Sequence, residues 1–490
     1  MRKKAFIMML AAVLAVSFAS LAVAGKRPHP GTLKYEPLKI TTPQTVDISL
    51  SNGLTGFFIE DHEIPVVDVV LLVRTYFPDK AKDGLNEMAR WVMRNGGTAT
   101  WPGDKLNDEL EFLAADIEIY GGAGGGGMMG GRGGPSGAGG DLSTTIAVSC
   151  LKKDLPHVLE IFADLVMNPA FPNDKIDMKR KTMLEDILRR NDEPNAVAGR
   201  EFAKLVYGDH PYTWETTTAG LNAITRDDLV KFHDTYFHPN NAIVGISGDV
   251  TKDEITGLLE KAFAGWKKAD VAIPKVPDIA VAPAPSVNYA FMDINQAYIS
   301  MGHVGINSND PDRCAVNIMN FILGGGSFTS WITEKVRSNE GLAYSAASRY
   351  SADPWAKGLF TAFAQSKAEA SNRAATIMME QIKRMRDTGP TADEVKKAVD
   401  SYVNGQVFDN ESKSGVVRRL VQLRFEGRPL DTPKKDMETY AKLTVADIKA
   451  AAQKYLQPDK LTILVVGNAK LFDRPLSDFG TVNEIQLKKE

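Results

Sequence analysis

The sequence of 490 residues has few of the features that identify a function directly. It holds two cysteines, Cys150 and Cys314, which are too few for a disulfide framework, so we expect two small buried side chains rather than a bridge. With 58 basic and 61 acidic residues, the formal net charge of −3 argues against a nucleic-acid partner. A content of 43% hydrophobic and 24% charged residues excludes disordered, collagen-like and coiled-coil chains. A globular protein of at least two domains is therefore expected.

Local metal and nucleophile motifs are also missing. The histidines are His29, His62, His157, His210, His233, His238 and His303. No two of them are three or four residues apart, so no helix presents a histidine pair to one metal. There is no G-x-S-x-G sequence, and the glycine-rich segment 121–140 contains no phosphate-binding G-K-[ST].

The first 24 residues have the pattern of a secretory signal peptide. Three basic residues precede an apolar run at 5–23, and an Ala-Val-Ala sequence predicts cleavage after Ala24. An uncleaved anchor is the alternative, but the apolar run is short for a membrane span. We expect an exported protein, periplasmic or extracellular, with no membrane segment after cleavage, because no later segment has eighteen consecutive apolar residues.

Two parts of the chain repeat each other. At a constant offset of 219 positions, five pairs match: Thr225 with Thr444, Asp228 with Asp447, Tyr236 with Tyr455, Pro239 with Pro458 and Gly248 with Gly467. Four prolines between 266 and 286 exclude helix and central strand there, and so predict an extended linker. The chain is predicted to hold two copies of one unit of about 200 residues.

Each copy mixes two hydrophobic periods. Short apolar runs at 66–73 and 461–466 suit buried strands, whereas 155–166 and 373–386 have helical spacing. The mixture predicts an α+β fold of two homologous units, each a mostly antiparallel sheet with helices packed on one face.

These patterns also set the predicted boundaries of the domains. They are a signal peptide at 1–24, an N-terminal extension at 25–44, a first domain at 45–265, the linker at 266–286, a second domain at 287–475 and a C-terminal tail at 476–490. Thirteen glycines crowd into 121–140, which predicts a mobile loop.

A series of short motifs follows in order along both halves. They are Asp61-His62, Pro65, Gly84-Leu85, Gly96-Gly97-Thr98, Asp192 with Pro194, His210-Pro211-Tyr212, Gln296, the segment 323–326, and RSNEGLAY at 337–344. Together they resemble the insulinase or pitrilysin class of zinc peptidases, which includes the mitochondrial processing peptidases. The resemblance covers 46–466 and implies the metallohydrolase-like fold of that type, built from paired homologous α+β units. It also implies that the glycine segment 121–140 is inserted between a helix at 106–119 and a strand at 142–149.

The sequence departs from this class at the zinc-binding motif. Active members carry H-x-x-E-H two residues after the Gly-Leu pair, where two histidines bind zinc and the glutamate activates water. The corresponding residues here are Glu87, Arg90 and Trp91. Asp186 occupies the position of the remaining zinc ligand, and Lys179 occupies the position of the glutamate that supports it in active members. Tryptophan cannot ligate a metal, and a guanidinium cannot act as a base. We expect no metal cofactor and no catalytic residue in this chain alone, with Glu87 paired to Arg90 along the helix.

Arg337 and Tyr344 match the family instead. The resemblance implies that this pair holds the backbone of a peptide substrate close to the metal. From the residues alone, Arg337 near a helix end could instead interact with the helix carbonyls and Tyr344 could be a core residue. A helix predicted at 329–339, ended at Gly341, and a strand at 342–350 would let both side chains project past one end of the sheet.

Two-subunit members of the class divide these tasks between a zinc-bearing chain and a chain that keeps the Arg/Tyr pair. The sequence resembles the second kind, which implies an exported, non-catalytic subunit whose partners are a peptide substrate and a homologue holding the zinc. A stand-alone peptide-binding or holdase module is one alternative. An active metalloendopeptidase that uses Glu87 and Asp186 is the other.

Overall fold

The computed structural model describes residues 43–121, 142–279 and 284–488. The predicted signal peptide and the glycine cluster from 122 onward lie outside these residues. Within the described ranges, no helix combines the length and the apolar composition that crossing a membrane requires.

The strands and helices have the following bounds. The strands are β1 (Val46–Ser49), β2 (Thr55–Glu60), β3 (Val66–Arg74), β4 (Asp116–Gly121), β5 (Ser143–Leu151), β6 (Ala242–Gly248), β7 (Ser286–Phe291), β8 (Gln296–Val304), β9 (Ile306–Asn307), β10 (Ala343–Tyr350), β11 (Ala352–Asp353), β12 (Leu359–Lys367), β13 (Thr462–Gly467) and β14 (Val482–Ile485). The α-helices are α1 (Leu85–Gly96), α2 (Gly103–Phe112), α3 (Leu155–Met167), α4 (Asn173–Arg189), α5 (Pro194–Tyr207), α6 (Thr218–Ala223), α7 (Arg226–Tyr236), α8 (Lys252–Ala262), α9 (Arg313–Asn320), α10 (Ser371–Asp387), α11 (Ala392–Glu411), α12 (Lys413–Phe425), α13 (Thr432–Tyr440) and α14 (Val445–Tyr455).

Two six-stranded sheets form the framework, one before and one after the predicted linker. The sheet of the first half has the order β1-β2-β6-β3-β5-β4, and that of the second half has the order β14-β7-β13-β8-β12-β10. Neighbouring strands are antiparallel, except that β2 runs parallel to β6 and β7 runs parallel to both β13 and β14. The four central strands follow the same order in both sheets, β2-β6-β3-β5 in the first and β7-β13-β8-β12 in the second. This arrangement confirms the predicted α+β fold of two homologous, mostly antiparallel units.

The sequence repeat is visible as repeated local structure. Thr225 begins α7 and Thr444 begins α14, each with a capping box. In both boxes the threonine hydroxyl accepts from a backbone N–H in the first turn, while the carboxylate of Asp228 or Asp447 accepts from the threonine N–H at 2.8 Å. These bonds satisfy N–H groups that the start of a helix leaves without partners. A threonine followed by an aspartate three positions later therefore starts the corresponding helix in each half.

One predicted element is wrong. The expected helix at 106–119 is two elements, because α2 ends at Phe112 and β4 follows. Ala114 has a φ of 48°, which a continuing right-handed helix cannot accommodate. Buried Ile117 beside exposed Glu118 then follows the alternation of a strand, and β4 pairs with β5.

Each half has its own hydrophobic core between its sheet and its helices. Phe162 and Val244 are fully buried in the first core, as are Ile318 and Met378 in the second. Cys150 and Cys314 are free thiols buried in these two cores, as expected.

The opposite face of each sheet is covered by a helix from the other half, which the sequence did not predict. Helix α5 of the first half packs on β8 and β13, where Phe202 is buried with Leu464 and Val466. Helix α12 of the second half packs on β2, β3 and β6, where Val421 is buried with Phe57. We call α5 and α12 the exchanged helices. Because of them, neither half buries all of its own apolar surface.

The His210-Pro211-Tyr212 motif lies where the halves meet. His210 Nε2 is 2.9 Å from the carbonyl oxygen of Pro277, and the Tyr212 hydroxyl donates to Asp353 Oδ1 at 3.0 Å. Asp353 is 5% exposed, and this burial raises the pKa of its carboxyl above the usual range. The motif therefore connects the first half to the linker and to the second half.

Candidate functional site

The degenerate zinc positions lie on two helices that pack together, α1 and α4. Helix α1 turns its apolar stripe to the core, with Leu85, Met88 and Val92 buried. Arg90 is buried on this helix, Trp91 packs against the core, and Glu87 is exposed at the edge.

Glu87 pairs with Lys179 of α4, and none of the described ion pairs joins it to Arg90, its expected partner. Lys179 Nζ lies 2.6 Å from Glu87 Oε1, and Lys179 is only 8% exposed. Packing of α4 on α1 brings this ammonium to Glu87 from 92 positions away, a contact that no spacing within α1 could indicate. A lysine of the protein itself therefore supplies the positive charge beside Glu87.

The residues at these positions do not fit a zinc ion. A tetrahedral zinc site needs nitrogen, sulfur or carboxylate ligands directed at one point. Here an indole replaces an imidazole, and Lys179 repels a second cation at Glu87. Within the part of the chain that the structure describes, no three histidine, cysteine, aspartate or glutamate side chains are grouped closely enough to hold a metal.

A cleft of about 250 Å³ lies beside Glu87 and is also lined by Asp186 and Glu215. Glu215 is bonded to Arg200 at 2.9 Å and to Lys204 at 2.7 Å. Asp186 is exposed at the surface of α4. The structure thus brings Glu87 and Asp186 to one cleft, but two of its three carboxylates are already bound by cations of the protein.

Arg337 and Tyr344 are brought together in the second half. The guanidinium carbon of Arg337 lies 5.5 Å from the centroid of the Tyr344 ring and 4.7 Å from that of Phe328. Tyr344 is 75% exposed and Phe328 is 60% exposed, so Tyr344 is not a core residue. Among the described residues, no carboxylate forms an ion pair with Arg337. The guanidinium therefore lies over two exposed aromatic rings.

An unusual backbone supports this stack. The predicted helix at 329–339 is mostly a π-helix, Thr333–Asn339, and a second π-helix, Phe321–Gly325, precedes it. Ser327 between them has a φ of 58°, a conformation that is rare for a residue with a side chain. Such segments concentrate at functional sites, where surrounding contacts hold them in place. Gly341 ends the segment with a φ of 63°, as predicted.

Hydrogen bonds from hydroxyl groups join the π-helical segment to β10. Thr333 Oγ1 donates to the carbonyl oxygen of Ala346 at 2.7 Å and lies 2.9 Å from Ser330 Oγ. Ser330 Oγ donates in turn to the carbonyl oxygen of Ser327 at 2.7 Å. Sequence reasoning missed these residues and Phe328. The three glycines before Ser327 were the one available signal, because a glycine run allows an irregular backbone.

A groove of about 450 Å³ begins at Arg337 and follows β10. Its lining includes Asn320, Phe321, Phe328, Arg337, Arg349 and Phe363. Arg349 is exposed on β10. The groove gives the Arg337 site enough room for several residues of a peptide.

Known protein families match both halves of the sequence. The family described as "Insulinase (Peptidase family M16)" matches residues 132–218, and "Peptidase M16 inactive domain" matches residues 223–402.

Individual relatives point the same way. A protein of Streptomyces coelicolor named as an uncharacterized zinc protease is 26% identical over 277 residues, which are 55% of this chain and 60% of that protein, less than two thirds of its length. The non-peptidase homolog YmxG of Helicobacter pylori is 22% identical over 328 residues, 66% of this chain and 75% of that protein.

A solved structure shares the fold. The crystal structure of a peptidase M16 inactive domain from Pseudomonas fluorescens superposes with a TM-score of 0.76 at 24% identity, covering 88% of this chain and 99% of that one. The two family matches together show that the chain is an M16 peptidase-like protein of the insulinase family, in which the four zinc-motif positions do not fit a zinc ion.

Proposed function

We propose that the mature chain is the exported, non-catalytic subunit of a two-subunit zinc peptidase and that it contributes Arg337 and Tyr344 to peptide binding. The observation that carries the proposal is the stacking of Arg337 between Phe328 and Tyr344 at the mouth of the groove. A guanidinium and a phenol are fixed donors, suited to a peptide carbonyl and to negative charge that develops on its oxygen. Stacking reduces the entropy that the arginine loses on binding.

Hydrolysis then requires a metal from another chain. Lys179 and Arg90 bring positive charge to the zinc positions of this chain, and Trp91 has no ligating atom. The partner in the proposal is a homologue with an intact H-x-x-E-H helix, which would supply the zinc and the water-activating glutamate. The signal-peptide pattern at 1–24 supports an exported location for this chain, and the partner would have to be exported to the same compartment.

Co-expression with such a homologue from the same genome tests the proposal. We expect the two chains to co-purify and to hydrolyse peptides together. Arg337→Ala should lower kcat/KM by about 100-fold, the scale of losing one donor to a developing oxyanion, and Tyr344→Phe should lower it by roughly tenfold. Arg386→Ala is the matched control, since Arg386 is bonded to Asp459 on another surface. Full activity in the Arg337→Ala, Tyr344→Phe double variant would refute both assigned roles.

Measurements on the purified chain separate the alternatives. We expect no tightly bound zinc by elemental analysis, and one zinc per chain would favour an active metalloendopeptidase. A stable homo-oligomer that binds peptides and assembles with no zinc-bearing homologue would favour the stand-alone binding or holdase module.

A further inference from the structure

The groove beside Arg337 has an unbalanced charge. Two arginines line it, Arg337 and Arg349, and none of the described lining residues is an aspartate or a glutamate. Over the whole sequence the two charge signs are nearly equal, with 58 basic and 61 acidic residues. The absence of acidic groups is therefore a property of this groove and not of the chain.

Within the described part of the chain, both arginines of the groove lack an ion-pair partner. Among the described residues, no carboxylate forms an ion pair with Arg337 or with Arg349. Other arginines of the second half are paired, since Arg313 is bonded to Asp436 at 2.5 Å. Glu340, three positions after Arg337, is bonded to Arg373 instead. The positive charge of the groove therefore has no counter-charge within the described chain.

The walls add apolar, aromatic surface. Phe321, Phe328, Phe363 and Tyr402 line the groove around the two arginines. A ligand that matches both features carries an anionic group next to apolar groups.

Along the groove, the backbone of β10 is not free to pair with an added strand. Although β10 is an edge strand, the carbonyl oxygen of Ala346 accepts from Thr333 at 2.7 Å, and that of Ser348 accepts from Asn320 at 3.3 Å. A Cβ on Gly324 would lie 2.3 Å from the Ser348 nitrogen, which shows how closely the π-helix covers the edge. A peptide cannot add here as a further strand, so side-chain groups must recognise it.

We propose that the groove selects peptides by a carboxylate, which Arg349 binds together with the N–H groups of Arg337 that the peptide carbonyl leaves free, while the aromatic walls take the apolar residues beside it. This inference rests on the proposed peptide-binding function and adds the substrate class. The carboxylate can belong to an internal glutamate or aspartate or to the C-terminus of the peptide, since both present the same acceptor to a guanidinium.

Binding of synthetic peptide pools to the mature full-length chain tests the proposal. Each pool is a fluorescein-labelled nonapeptide with Ala, Val, Leu, Ser or Phe at eight positions and one fixed central residue. Three pools have a C-terminal amide and central Glu, Gln or Lys, and a fourth has central Gln and a free C-terminal carboxylate. By fluorescence anisotropy, we expect at least one carboxylate pool to bind about tenfold more tightly than the Gln-amide pool, and the Lys pool to bind most weakly. The pool that gains affinity identifies the source of the carboxylate.

Charge-matched variants assign the effect to the groove. Arg337→Gln and Arg349→Gln should each reduce the preference for carboxylate, and 0.5 M NaCl should weaken it. Arg386→Gln removes the same charge from a different surface of this half and should leave the preference unchanged. Thermal melts of all three variants check that they fold.

The outcomes separate two kinds of failure. Equal binding of the carboxylate and Gln-amide pools overturns the selectivity and leaves peptide binding intact. A preference that persists in the Arg337→Gln, Arg349→Gln double variant overturns the assignment to these residues. No binding of any pool overturns the peptide-binding function on which the inference rests.

Discussion

Glu87 and Lys179 show how single residues change a metal position into a structural contact. The Lys179 ammonium is almost fully buried and lies 2.6 Å from the Glu87 carboxylate, joining α4 to α1. A buried cation without a partner is costly, because the protein interior solvates it poorly. The pair therefore contributes to stability where active relatives bind zinc.

Replacing Glu87 by glutamine should lower the free energy of unfolding by about 1 kcal/mol, because Lys179 then stays buried without a carboxylate. The expected loss is small for a buried lysine because half of the Glu87 side chain is exposed to solvent. Urea denaturation measures the change. Glu185→Gln is the control, since Glu185 is exposed on α4 and outside the cleft. Equal stability of the Glu87 variant and the wild type would show that the pair contributes nothing.

His303 predicts a loss of stability in mild acid. Burial lowers the pKa of its imidazole, and Nε2 accepts a hydrogen bond from the Gln457 N–H at 3.2 Å, which only the neutral ring can do. The unfolded chain therefore binds the proton first, so stability falls as the pH drops below the ordinary histidine pKa of about 6.5. We expect the urea midpoint to fall from pH 7.5 to pH 5.5, and to fall less in His303→Asn. Identical pH profiles would contradict this assignment.

At the scale of elements, the two π-helices determine the shape of the Arg337 site. The wide turn of Phe321–Gly325 lets its backbone lie against β10, and Thr333–Asn339 orients Arg337 between its two rings. Local irregularity of this kind persists only where neighbouring contacts hold it. Gly324 is one place where the π-helix approaches β10 closely, because a Cβ built on it would lie 2.3 Å from the Ser348 nitrogen.

Gly324→Ala should disturb this element. Its Cβ would lie 2.3 Å from the Ser348 nitrogen and 2.8 Å from the Ser348 Cβ, so the π-helix or β10 must shift. We expect a loss of about 2 kcal/mol in unfolding free energy and weaker peptide binding. Gly257→Ala in α8 is the matched control. No atom lies within 4 Å of its Cβ, and alanine should raise stability by about 0.5–1 kcal/mol. Wild-type stability of Gly324→Ala would contradict the close approach.

At the scale of the whole molecule, the exchanged helices make the two halves depend on each other. Separating the halves would expose Phe202 of α5 and Val421 of α12, together with the sheet faces that they cover. Exposure of that much apolar surface opposes any opening between the halves of one chain. The proposed peptidase would therefore admit its peptide between subunits.

Phe202→Ala tests this dependence. The ring is 1% exposed and packs against the second sheet, so its loss should cost about 3–5 kcal/mol. Calorimetry should show one transition for the wild type and one, at lower temperature, for the variant, because both halves unfold together. Leu188→Ala is the control, since Leu188 is 68% exposed in the same half. Two transitions, with one unaffected by the substitution, would show that the halves are independent.

Prediction from sequence succeeded where the signal was local. Thr225 and Asp228 belong to the repeat that the sequence shows, and they lie three residues apart in the capping box that begins α7. Arg337 and Tyr344 are separated by one turn at Gly341, so their proximity was also predictable. The helix expected at 106–119 was wrong, because the positive φ of Ala114 interrupts the helix.

The sequence by itself determined the α+β class and the two homologous units, because the hydrophobic period and the repeated register can be read along the chain. Its resemblance to the insulinase class showed that the zinc-binding residues are replaced. Only the tertiary structure decided that Lys179 reaches Glu87 across 92 positions, that Phe328 covers Arg337, and that α5 and α12 pack on the opposite sheets. The physical reason is that packing of distant apolar surfaces sets these contacts, and many pairings in a chain satisfy the same local pattern.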